Sequence, residues 1–344
     1  MKSLKYLMPT LCGAALLTLT GAAAAQAPTE FYKGKQIRLV VGNAAGGDYD
    51  LGARLLARYM PRHIPGTPAV IVQNMPGASG NNAASFLYSV APKDGTVFGS
   101  FSRNLPSQAA LGRLKADIDP RKYSWIGAAS LPSRICVAWE GTPVSKAEDV
   151  FSKELIVGST GAGSVQSIVP TVINKVANTK FRPVEGYRGI AEIVVAMERG
   201  EVQGVCHLLS VFETTYSDQI KKGQIKPLFN VEEAEISELP GMPSIFKFVK
   251  DENSKQLLRF VFSSAEFGRP YVAPPGTPTD RVTALRAGFA NALKDKDLID
   301  EAAKLKMDMK YRAPEDLLAL IDKLYALPPE LKSQVEEILP ESRD

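Results

Sequence analysis

The chain alternates short apolar runs, each ending in a glycine-rich turn, with stretches whose apolar residues recur at helical spacing. Gln36 to Gly42 is a β-branched run that ends in Asn43-Ala44-Ala45-Gly46-Gly47. After Asp48, the residues Leu51, Leu55, Leu56, Tyr59 and Met60 mark one face of a helix. A second run, Ala69 to Gln73, leads through Pro76, Gly77, Gly80 and Asn81 into a helix-compatible stretch reaching Leu87. A third, Thr96 to Ser100, follows the turn Pro92-Lys93-Asp94-Gly95 and ends in Ser102-Arg103-Asn104. Three strand-to-loop junctions of this kind predict a mostly parallel α/β sheet, in which ligands bind outside the carboxyl ends of the strands.

The middle of the chain repeats the pattern. Leu155 to Val157 leads into the small-residue loop 158–164, Gly189 to Arg199 forms an amphipathic helix with Gly200 placed to end it, and Val202 to Leu209 reads as a buried strand. After loop 158–164 two placements stay open. Either a helix opens at Ser164 and is kinked by Pro170, or it begins nearer Pro170. Further on, Thr277 as cap, Pro278 at the first position and Asp280 at the third open a helix carrying Val282, Leu285, Phe289 and Leu293. Pro314 opens another through Leu324, stopped by Pro328-Pro329.

The first 25 residues follow a different rule. Lys2 and Lys5 precede an apolar run from Leu7 to Leu19, and small residues including Ala23 and Ala25 follow, the tripartite pattern of a secretory signal peptide cleaved after Ala25. The apolar core is short for a membrane span, which disfavours an uncleaved anchor. The expected mature protein is exported. Removing Lys2 and Lys5 lowers the formal net charge from +4 to +2. Removing Cys12 leaves the pair Cys136 and Cys206, either bridged in an oxidising compartment or present as two buried thiols.

Composition narrows the chemistry. Over 344 residues, 41 basic side chains against 37 acidic ones, with no basic run, argue against nucleic acid as a partner. His63 and His207 are the two histidines in the chain, and His207 lies in an apolar strand, so metal and histidine-based catalytic schemes are disfavoured. The glycine loops also lack the spacing of a dinucleotide fingerprint or a P-loop, so no cofactor is expected. Amide-rich turns after strands do suit an anion such as a carboxylate. A secreted enzyme acting on a carboxylate through Asp50 and Arg103, or the ligand-binding subunit of a sensor, remains as an alternative.

Six segments, IRLVVGNAAGGDYDLGARLLA, VIVQNMPGASGNNAA, APKDGTVFG, IVGSTGAGS, VEGYRGIAEIVVAMERGEVQG and APPGTPTDRV, together resemble, in order, the substrate-binding proteins of tripartite tricarboxylate transporters, the Bug family. The resemblance spans essentially the whole mature chain. It implies a monomeric, periplasmic, two-domain clamshell, not an enzyme, that delivers a small carboxylate to an integral-membrane permease. Domain one would comprise residues 28–130 and 263–344, domain two residues 131–262, with the hinge crossed twice.

Carried over by position, the implied first-domain contacts are Ala44, Ala45, Gly46, Gly47, Gly80 and Asn81, with Asn43, Ser102 and Arg103 on the same loops. The second domain would add Ser159, Thr160, Gly161, Gly163, Ser164, Tyr187 and Arg188. The chain departs from the family pattern at three places. Gly42-Asn43 replaces the usual Pro-Phe, Ser167 the usual His, and Cys206 the usual Asp.

Overall fold

The computed structural model describes residues 27–338 apart from 115–116, 131–132, 162–163, 234 and 237; the signal peptide expected over 1–25 and Gly163 lie outside the described residues. Two sheets organise the chain. The first contains β1 (Gln36–Val41), β2 (Ala69–Asn74), β3 (Val97–Ser100), β4 (Ser124–Ala129), β10 (Arg269–Ala273) and β11 (Tyr311–Arg312), in the order β11-β4-β10-β3-β1-β2. The second contains β5 (Arg134–Trp139), β6 (Leu155–Gly158), β7 (Phe181–Val184), β8 (Gly204–Leu208) and β9 (Ile225–Asn230), in the order β7-β6-β8-β5-β9.

Both sheets are mixed, which corrects the expectation of mostly parallel ones. β1 pairs parallel with β2 and β3, but β10 runs antiparallel to β3 and β4, and β11 antiparallel to β4. The second sheet pairs β6 parallel with β7 and β8, and β5 antiparallel with β8 and β9. The reason is the double crossing. β4 leaves the first sheet at Ala129, so the returning β10 starts at that same end, with Arg269 opposite Ala129, and must run the other way. β5 enters the second sheet at Arg134, so β9 must run back toward it to exit, which sets Asn230 opposite Ile135.

The register also fixes where the loops lie. Leu208, the last residue of β8, sits opposite Arg134, so β6, β7 and β8 end on the side where the chain crosses. In the first sheet, Ser100 at the end of β3 pairs with Tyr271, and β1 and β2 run parallel to β3, so these strands end on the crossing side too. The crossing segments touch. A side chain at Gly268, whose φ is +52°, would lie 1.9 Å from the Ser130 carbonyl oxygen, so only glycine fits there.

The helix Glu252–Glu266, capped by Asp251 accepting from the Ser254 N–H, ties the two parts together. It packs against Val165–Ala177 on one side and Leu105–Ala110 and Pro314–Tyr325 on the other, and the boundary expected between residues 262 and 263 falls inside it. The final helix, Pro329–Ile338, also packs on Val165–Ala177. One apolar cluster consequently runs from Trp125 and Phe101 of the first part to Cys136 and Val157 of the second.

Two local expectations change in detail. The helix expected to open at Thr277 spans Thr279–Ala292, because the Thr277 hydroxyl donates to the Pro274 carbonyl at 2.8 Å and closes the preceding turn instead of capping. Val165–Ala177 is a single helix that carries Pro170 in its interior, which settles the placement in favour of an opening at Ser164. The Ser164 side chain makes no cap bond to it.

Candidate functional site

The loop after β1 is built around Asp50, which is 1% exposed. Its carboxylate accepts the Gly46 N–H at 2.8 Å, Arg54 Nε at 2.9 Å and Asn74 Nδ2 at 2.8 Å, and the same Asn74 amide reaches the Asn43 carbonyl at 3.0 Å. The Arg54 hydrogen bond, with help from Gly46 and Asn74, holds the Asp50 carboxyl down at about 2. Asp50 is thus a fully engaged brace, and the structure gives it no role as an acid or base. Its (i, i+4) relation to Arg54 is a signal readable in the sequence. Asn74 was missed, because 24 residues separate it from Asp50.

Three first-sheet loops meet here. A Cβ at Gly42 would stand 3.1 Å from Gly80 Cα, and one at Gly80, whose φ is +90°, would stand 3.1 Å from the Ser102 amide nitrogen. Backbones approach this closely only without side chains. Next to them, the Tyr49 hydroxyl accepts from the Arg103 N–H at 3.1 Å and from Arg103 Nε at 3.3 Å. Among the described residues, no carboxylate pairs with the Arg103 guanidinium, and the amides of Ala44 and Ala45 have no protein partner. Gly47 caps the following helix in extended geometry.

The loop after β6 uses hydroxyls. Ser159, fully buried, lies 3.0 Å from Ser164 Oγ, and its Oγ accepts the Gly161 N–H at 3.2 Å. The Ser164 N–H donates to the Gly161 carbonyl at 2.9 Å. The amides of Gly46, Gly47, Gly80, Gly161 and Ser164 are therefore spent inside the loops, while the Thr160 amide has no protein partner among the described residues. The Tyr187 N–H donates to the Ser159 carbonyl at 3.3 Å, which brings Tyr187 onto the loop. Arg188 is turned outward, its side chain 92% exposed and paired with Glu192. Ser167, buried in the first turn of Val165–Ala177, donates to Glu185 Oε1 at 3.0 Å, a contact that sequence reading did not anticipate.

The structure thus assembles the expected residues into two groups, one at the end of each sheet. Among the described residues, no hydrogen bond or ion pair joins the groups. Cys136 and Cys206 face each other across β5 and β8 and are bonded, which resolves the open alternative in favour of the disulfide. His207 is structural: its Nδ1 accepts the Leu208 N–H at 2.7 Å, its ring lies near Phe212, and burial pushes its pKa down.

A cavity of about 990 Å³ lies elsewhere, lined by β11, the segment that follows β9 and the helices Glu252–Glu266 and Pro314–Tyr325, and none of the expected site residues lines it. Three pairs of its charged walls are bonded to one another, Arg312 with Glu266, Arg259 with Glu233 and Lys310 with Glu238. A charged ligand there would have to compete with those pairs. The loops at the strand ends, with free amides and an unpaired guanidinium, are the better candidate.

No protein-family model matches the chain. A curated relative, the UPF0065 protein in the gbd 5' region of Cupriavidus necator, is 27% identical over 298 residues, covering 83% of each chain. A TctC solute-binding protein from Polaromonas, solved without ligand, superposes with a TM-score of 0.69 at 20% identity, covering 89% of this chain and 99% of that one. MatC from Rhodopseudomonas palustris, solved with bound malate, has a TM-score of 0.51 at 20% identity, covering 89% and 99%. The solved structures establish the fold, that of a two-domain periplasmic binding protein. These structural neighbours are themselves solute-binding proteins.

Proposed function

We propose that this protein is a periplasmic solute-binding protein that captures a small carboxylate between two domains, residues 28–130 with 263–344 and residues 131–262, and delivers it to a membrane permease. The observation that carries the reading is the register. It sets the loops after β1, β2 and β3 and the loops after β6 and β7 at the crossing ends of their sheets, where closing the hinge brings two loop sets onto one ligand. The residues proposed to hold the ligand are Asn43, Ala44, Ala45, Gly46, Gly47, Gly80, Asn81, Ser102 and Arg103 on one side, and Ser159, Thr160, Gly161, Gly163, Ser164, Tyr187 and Arg188 on the other. The unpartnered amides of Ala44, Ala45 and Thr160 and the Arg103 guanidinium supply donors for a carboxylate.

Thermal unfolding against a panel of carboxylates, with malate included because MatC was solved with it, tests the reading. A ligand that binds only the folded state stabilises it by about 2.7 kcal/mol at a hundred times its Kd, so a hit is a clear upward shift of Tm. Shifts produced only by neutral sugars or metal cations overturn it. Affinity capture of permease subunits by the mature, ligand-loaded protein tests the delivery step.

A further inference from the structure

Glu185 is held against the second group of loops from both sides. Its predecessor Val184 accepts the Ser159 N–H at 2.8 Å, and Tyr187, two residues on, donates its N–H to the Ser159 carbonyl at 3.3 Å. The Glu185 carboxylate takes a hydrogen bond from Ser167 at 3.0 Å, and Ser167 is 6% exposed, so the buried hydroxyl anchors one carboxylate oxygen beside the loop 159–164. Among the described residues no cation pairs with Glu185, and the two nearest basic residues in sequence, Arg182 and Arg188, are committed to Glu154 and Glu192. A solvent-exposed negative charge therefore stands at the end of β7 within the second half of the site.

The first half has the opposite character. Arg103 is oriented by two hydrogen bonds to the Tyr49 hydroxyl and lacks a carboxylate partner among the described residues, and the amides of Ala44 and Ala45 add donors beside it. The first half thus offers a cation and amide donors, and the second offers the Thr160 amide together with an exposed anion. A ligand that is anionic throughout meets repulsion at Glu185.

From this polarity we infer that the ligand is an amino carboxylate, with its carboxylate on the Arg103 side and its ammonium on Glu185. The inference rests on the reading of the site as a carboxylate cleft and specifies the class of solute. Ser167 acts as a positioning residue for Glu185, and Glu185 acts as the specificity determinant. A charge-assisted hydrogen bond between ammonium and carboxylate distinguishes such a ligand from its deaminated analogue by about tenfold or more in affinity.

Calorimetry with matched pairs differing by one amino group tests the inference on the mature wild-type protein and on Glu185→Gln, an exposed and nearly isosteric change. The pairs are aspartate and succinate, glutamate and glutarate, and phenylalanine and 3-phenylpropionate. The expected result is a preference of about tenfold or more for the amino member of at least one pair, falling to about unity in Glu185→Gln. Ser167→Ala is expected to reduce the preference part of the way. Equal or tighter wild-type binding of the deaminated members overturns the inference and leaves the carboxylate cleft standing. So does a preference that survives Glu185→Gln, and so does a Glu185→Gln variant that binds both members more tightly to the same degree. Binding of no carboxylate of either kind overturns this inference and the proposed function together.

Discussion

The loop after β1 is braced by a buried carboxylate, whereas the loop after β6 is held by hydroxyl groups. In the first, Asp50 draws Gly46, Arg54 and Asn74 onto a single side chain, and loops from three strands are packed so closely that a Cβ at Gly42 or Gly80 would lie 3.1 Å from a neighbouring backbone atom. In the second, Ser159 and Ser164 bond each other within one loop, and a Cβ at Gly161 would meet nothing within 4 Å. The contrast teaches that the first half is rigid because charge and tertiary packing both constrain it. The second is held by neutral bonds, within the loop and from Ser159 to Val184 and Tyr187 at the end of β7, so its firmness must come from the sheet beneath it.

The largest expected effect tests that last point. The Cys136–Cys206 bridge joins β5 to β8 across a sequence separation of 70 and lies beneath the second loop set. The chain-entropy model assigns such a closure roughly 4 kcal/mol. Replacing both cysteines with alanine is expected to lower stability in urea by about that amount. A loss below about 1 kcal/mol in equilibrium unfolding shows that the second sheet does not depend on its covalent staple.

Next in size is Asp50→Ala, which leaves the Gly46 amide and the Asn74 side chain without their acceptor and Arg54 without its counter-ion. The expected cost is about 3 kcal/mol, with ligand affinity falling at least tenfold because the loop loses its shape. Unfolding curves and calorimetry on the variant check both. Unchanged affinity at reduced stability separates the brace from the binding surface.

Gly161→Val and Ser164→Ala test the second half. The valine projects into open space at a φ of +157°, where it would meet a ligand held on this loop, whereas the alanine deletes one hydroxyl contact worth about 1 kcal/mol. Calorimetry is expected to show a far larger loss of affinity for Gly161→Val. Wild-type affinity in that variant moves the binding surface off this loop.

The smallest effect is one of pH. Because the folded-state pKa of Asp50 is lowered to about 2, its contribution is complete above the ordinary carboxylate range near pH 4 and is lost as pH falls through 2. The hydroxyls of Ser159 and Ser164 do not titrate there. Amide hydrogen exchange is therefore expected to deprotect Gly46 before Gly161 on acidification between about pH 4 and pH 2. Simultaneous loss at both amides removes the distinction between the two halves.

The comparison also separates what is local in this molecule from what is not. The order of strands, glycine turns and helices is legible in residues 36–60 and 189–200, because apolar periodicity and turn chemistry act over a few residues. Loop positions 42–47 and 159–161 were legible for the same reason, as was the presence of two cysteines able to pair. The antiparallel returns of β10 and β9 were not, since strand direction depends on where the chain re-enters or leaves a sheet, and each strand pairs with one far away in sequence. Asn74 on Asp50, Arg103 on Tyr49 and Ser167 on Glu185 were also invisible. Each pair is separated by 18 to 54 residues and meets only through the packing of whole elements. The sequence by itself therefore determined the strands β1, β2, β3, β6 and β8 and the small-residue turns after β1, β2 and β6. Tertiary structure alone decided which side chains close on those turns, because Coulombic and hydrogen-bond partners are selected by proximity in space.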